Sequence, residues 1–177
     1  MESFFIEKQD WKGYQLPMWR VNEIILLAAQ IVCSQKNFDE SFDYKKMISD
    51  MGIKIKKFSS FTDENLSAFY QSSLSLWKEG VCFVLPYQEE TGKKVCMIVY
   101  NDKKSSTECM GIILHEFAHI VMRHTQQSIN GELEATCFAL AMIIFIELEK
   151  QYHKGKELAT QINYLRVIGG EINQKTA

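Results

Sequence analysis

The apolar positions of this chain fall into stretches with two distinct periods. Val21, Ile24, Ile25, Leu27, Ala28, Ile31 and Val32 recur every three or four residues, which predicts a first helix over residues 20–35. Residues 43–51 predict a short second helix, stopped by Gly52. The largely alternating run Ile53-Lys54-Ile55-Lys56-Lys57-Phe58 predicts a half-exposed strand. Thr62 is a candidate cap for a third helix, with Leu66, Phe69, Tyr70, Leu74 and Trp77 along one face. Gly80 then opens a strand over 81–87, and Thr91-Gly92 signals a hairpin turn into a strand over 93–101. Ser105 and Glu108 spell a capping box at the start of a helix that reaches about His124. A polar loop, 126–131, leads to a helix over 132–150 with Asn130 as its cap. Gly155 predicts an interruption, then a last helix over 156–168 and a frayed tail after Gly169-Gly170.

These elements describe one α+β domain over 1–177: a small, largely antiparallel sheet packed against several helices, with 1–19 and 169–177 peripheral. A chain of 177 residues is long enough for one real core, and its 2 prolines and 9 glycines leave no room for a long linker. The formal net charge of -2 gives no basic stripe, so nucleic acid is not expected as a direct ligand. Cys33, Cys82, Cys96, Cys109 and Cys137 are scattered, without a CxxC pair, and read as buried reduced thiols of a cytosolic protein. The first ten residues are acidic rather than basic, which argues against a secretory signal. The apolar runs 24–32 and 135–146 fall short of the roughly 20 residues that cross a bilayer. The expectation is a cytoplasmic protein with no membrane partner.

Chemistry concentrates at His115-Glu116-Phe117-Ala118-His119, an HExxH pattern inside an apolar helix. Positions four apart lie one above the other on a helix, so His115 and His119 can share a metal. Glu116 projects beside that pair, where a carboxylate can accept the proton of an activated water. A catalytic zinc takes three protein ligands and keeps one position open. The next helix offers two carboxylates. Glu132 shares its face with the small residues Ala135, Thr136 and Ala139, which permit close approach. Glu134 shares its face with the bulkier Phe138 and Met142. Glu132 is therefore the expected third ligand and Glu134 the alternative, with Thr136 placed to hydrogen-bond a ligand. For stabilising an oxyanion, His124, Tyr100 and His153 are candidates. Counting helically, His124 should point away from the ligand face, and His153 sits in a charged stretch typical of a surface. The strand over 93–101 or its hairpin partner is a candidate edge for an extended peptide; an interior strand is the equal alternative.

The HExxH helix followed by Glu132-Leu133-Glu134-Ala135 and Phe138-Ala139 resembles the ImmA/IrrE family of metallopeptidases. The likeness extends loosely from residue 20 to 148 and is strongest over 95–148; His124 has a counterpart in many relatives. The chain departs from the family at Thr136, where an asparagine is common, and at Met142-Ile143-Ile144-Phe145, where Leu-Met-Pro is usual. The resemblance implies a cytoplasmic zinc endopeptidase, with manganese as the alternative metal, that cleaves a helix-turn-helix transcriptional repressor of a phage or mobile element. The other function weighed is a metal-binding regulatory module that holds a repressor without cutting it.

Overall fold

Asp43, Thr62 and Ser105 each end an extended stretch and start a helix by accepting hydrogen bonds from backbone N–H groups of the first turn. At Ser105 the pattern closes on itself: its hydroxyl accepts from the Glu108 N–H while the Glu108 carboxylate accepts from the Ser105 N–H. The computed structural model describes residues 13–35, 42–88 and 93–175. Within them the order is α1 (Met18–Cys33), α2 (Tyr44–Asp50), β1 (Ile53–Lys57), α3 (Asp63–Ser72), β2 (Gly80–Gln88), β3 (Lys93–Tyr100), α4 (Ser106–Val121) and α5 (Ile129–Lys175). The α+β class is as expected. The Thr91-Gly92 turn lies outside the described residues.

The sheet has the order β1-β3-β2. β2 and β3 form the expected antiparallel hairpin, and β1 joins β3 in parallel, with Ile53 opposite Cys96, so the sheet is mixed. β3 is therefore interior and offers no free edge. β2 is an edge, but the chain already uses it next to the HExxH helix: the Leu74 N–H donates to the Cys82 carbonyl.

Alternation along β2 and β3 sorts the two faces. Val81, Phe83 and Val99 pack with Phe69 of α3 in a small cluster. Cys82 and Ile98 face the main core with Ile112, Ile113 and Phe117 of α4. Burial on both faces explains the unbroken apolar run at 81–83, while Val84 is exposed. α4 and α5 run antiparallel and close against each other, the Phe117 and Phe138 rings meeting edge to face at 5.9 Å. α1 lays Ile24, Ala28 and Val32 against this pair.

Several expectations change. α3 ends at Ser72, so Leu74 and Trp77 do not lie on its face. Ser73 turns extended, and the Ser73 and Ser75 hydroxyls accept from the Ser75 and Trp77 N–H groups, diverting the backbone from the helix. α5 is capped by Ser128, whose hydroxyl accepts from the Gly131 N–H, and not by Asn130. It also runs on through Gly155 and Gly169-Gly170 to Lys175; a helical glycine costs only about 1 kcal/mol relative to alanine. Where the apolar run 135–146 alone was too short to span a bilayer, the helical stretch Ile129–Gln161 is long and apolar enough to do so by length and composition, with 44% of its apolar window buried in the protein. All five cysteines are free, but only Cys82 and Cys109 are buried; Cys96 and Cys137 are half-buried and Cys33 is exposed.

Candidate metal centre

α4 reaches the middle of the molecule with its HExxH segment fully covered. His115, Glu116 and His119 are 2%, 0% and 0% exposed, and Glu132, one helical position inside the first turn of α5, is 4% exposed. His115 Nε2 lies 3.1 Å from Glu132 Oε2 and 3.3 Å from His119 Nε2, and His119 Nε2 lies 3.4 Å from Glu132 Oε1. Bonds of about 2.0–2.1 Å at tetrahedral angles would separate neighbouring ligand atoms by about 3.3 Å. Spacing and donor set thus fit a divalent cation, and the three side chains together can hold a metal ion. Glu134 is not in this cluster, because two residues along a helix rotate its side chain away from Glu132.

A segment that pattern reasoning did not single out closes the site. Residues 73–77 cross it as a strap. The Leu76 N–H donates to Glu132 Oε1 at 2.6 Å, and the Gln127 amide donates to the Ser73 and Ser75 carbonyls at 3.1 and 3.2 Å. Trp77 sets its ring edge to face against His115, 5.0 Å between centroids. Burial pushes the Glu132 carboxyl upward, but the His115 hydrogen bond and charge and the Leu76 amide outweigh it and hold it below the usual range. The only signal for this segment in the chain is the pair of serines two apart, which marks local turns and not a metal site.

Glu116 occupies the opposite wall. Its two carboxylate oxygens are the only buried side-chain oxygen or nitrogen atoms without a hydrogen-bond partner among the described residues. A buried polar group left this way costs the fold free energy. Burial pushes its carboxyl up to about 7, against the opposing influence of His115, the Cys82 thiol and Ser75. Gly80 makes the space: a Cβ there would sit 2.8 Å from Glu116 Cγ, from Glu116 Oε1 and from Ile112 Cγ2.

His119 is supported from behind. Helical counting put His124 away from the ligand face, and the structure corrects this. α4 ends in a Schellman turn, with Arg123 N–H donating to the Ile120 carbonyl and His124 N–H to the His119 carbonyl. Arg123 takes the left-handed conformation this turn needs, φ 58°, and the reversal brings His124 back. His124 Nδ1 lies 2.8 Å from His119 Nδ1, and its Nε2 lies 3.1 Å from Glu134 Oε2. Glu134 in turn receives both Nε and Nη2 of Arg20 at 2.8 Å each. That pairing holds the Glu134 carboxyl below its ordinary range and raises the Arg20 guanidinium. Burial, with His115 beside it, lowers His119 to about 3, so its imidazole is neutral at pH 7.

Thr136 Oγ1 lies 3.4 Å from His115 Nδ1, at the far side of the other imidazole. Tyr100 and His153 are not part of the site. The Tyr100 hydroxyl meets the Lys45 ammonium of α2 at 3.4 Å. His153 sits beside Glu149, 21 residues along α5 from Glu132, or roughly 30 Å at 1.5 Å per residue. Against protein-family models, curated proteins and solved structures the chain has no match.

Proposed function

We propose that this chain is a zinc-dependent endopeptidase that acts in the cytoplasm on a helix-turn-helix transcriptional repressor. The observation that carries the peptidase reading is the unpartnered, fully buried Glu116 carboxylate beside a His115–His119–Glu132 cluster spaced for one cation. A divalent cation bound there supplies Lewis-acid activation of water and polarisation of a carbonyl. Glu116, with its carboxyl near neutrality, accepts the proton of the attacking water and returns it to the leaving peptide nitrogen. Zinc suits two neutral imidazoles and one carboxylate, and manganese is the alternative for the same donors. The repressor as substrate rests on the resemblance to the ImmA/IrrE family.

The side chains of the three cation-binding residues are only 1–5% exposed, so a peptide reaches them only when the 73–77 strap lifts from Glu132 and Gln127. This closure favours the second reading, a metal-holding regulatory module that binds a repressor without cutting it. The two readings separate in one experiment. The zinc-loaded protein is incubated with the repressor encoded beside it and, separately, with casein. The expected result is a single cut in the repressor, absent with Glu116→Gln. An intact repressor that stays bound supports the regulatory module, and digestion of casein with an untouched repressor defeats the substrate assignment.

A further inference from the structure

With both imidazoles neutral, the hydrogen-bond chain behind His119 has only one consistent arrangement of protons. Glu134 is gripped through both oxygens by Arg20 and is an acceptor only. The His124 Nε2 facing it must carry a proton. A neutral His124 then has a bare Nδ1, and this atom accepts from Nδ1 of His119 at 2.8 Å. With its proton on Nδ1, His119 presents a bare Nε2 to Glu132 and His115, which is the form that binds a cation. The other imidazole has only the Thr136 hydroxyl at 3.4 Å behind it, and a hydroxyl can donate or accept.

Two backbone features serve the same chain. Arg123, a non-glycine residue at φ 58°, turns His124 inward. Gly131 leaves the ring its room, since a Cβ there would stand 3.3 Å from His124 Nδ1 and 3.5 Å from its Cε1.

We propose that His124, Glu134 and Arg20 are positioning residues for His119, a relay running from α1 through α5 that fixes its imidazole in the Nδ1–H tautomer and leaves Nε2 free for a divalent cation. The proposal rests on the metal-centre reading and is independent of whether the protein cleaves anything. Outer hydrogen bonds of this kind are worth 10- to 100-fold in metal affinity. The test measures zinc affinity by competition with a chelator for the parent, Glu134→Gln, His124→Leu and His124→Asn, with Glu149→Gln as a control on the same α1–α5 contact. Glu134→Gln and His124→Leu should weaken zinc binding by about 10- to 100-fold. His124→Asn, whose amide oxygen can accept from His119 Nδ1–H, should recover most of it, and Glu149→Gln should match the parent. Nitrogen-15 spectra of the metal-free proteins give the second readout. His119 should be a single Nδ1–H tautomer in the parent and in His124→Asn, and a mixture in His124→Leu, so a general loosening of the fold is not mistaken for the effect. Parent-like zinc affinity in both weakening variants, or an unchanged tautomer in His124→Leu, overturns the relay. A parent that binds no zinc overturns the metal-centre reading and the relay with it.

Discussion

Replacing Glu116 by glutamine should stabilise the metal-free protein, and by more as the pH rises. The glutamate carboxyl stands at about 7 in the folded protein against an ordinary 4.5. Below 4.5 both folded and unfolded chains hold the proton and the difference contributes nothing. Between 4.5 and 7 the unfolded chain releases it first, and above 7 the folded chain carries a fully buried charge. The destabilisation therefore grows with pH and is lost as pH falls through 7 toward 4.5. At 1.36 kcal/mol per tenfold change, that displacement amounts to roughly 3 kcal/mol at pH 9 and under about 1 kcal/mol at pH 5. Glutamine has nearly the same shape and no charge, so the variant-minus-parent stability should rise by roughly 2–3 kcal/mol between pH 5 and pH 9. Urea denaturation of both proteins in a chelator at pH 5, 7 and 9 measures it, and groups common to both cancel. In zinc the gain should shrink, since a cation beside the carboxylate stabilises its charge, while cleavage is lost. A stability difference that stays flat from pH 5 to 9 would refute the reasoning, because it would mean that Glu116 is solvated or paired.

Glu132→Ala should abolish tight zinc binding, whereas Glu134→Ala should only weaken it, because Glu132 lies in the ligand cluster and Glu134 acts through His124. The Trp77 ring beside His115 offers a fluorescence readout for both titrations; equal losses would mean that the two carboxylates share the site. Gly80→Ala should cost about 1–3 kcal/mol of stability by overpacking and reduce cleavage, because the new methyl displaces Glu116. Parent-like stability in urea would show that β2 yields at this point.

What could be read from the chain was what local geometry governs. The Ser105–Glu108 box and the four-residue spacing of His115 and His119 depend on a single helix, so the pattern placed them correctly. Glu132 was reachable because small neighbours at Ala135 and Ala139 mark the face that approaches α4 most closely, and both are fully buried. His124 was misplaced because helical counting assumes a helix, and Arg123 leaves it in a conformation for which glycine or asparagine is the usual sign. The 73–77 strap was masked by Leu74 and Trp77, which continue the helical spacing of α3 beyond its true end, and its contacts to Gln127 and Glu132 span more than fifty residues. The parallel docking of β1 on β3 is likewise nonlocal, so the mixed sheet and the interior place of β3 emerge only in three dimensions. Tyr100 was a candidate oxyanion donor, but the strand aims it at α2.

The single bond from the Leu76 amide to Glu132 turns the strap into a clock. On the proposed reading of the site, a substrate carbonyl, a chelator and a solvent deuteron would all wait for the same opening, so their rates would share one upper bound. Deuterium uptake at Leu76, followed at a pH high enough for chemical exchange to outrun reclosing, measures that bound without any substrate. Metal loss to excess chelator should level off at the same value however much chelator is added, and the turnover number should never exceed it. Shortening the Gln127 side chain, which holds the strap by the Ser73 and Ser75 carbonyls, would advance all three rates together.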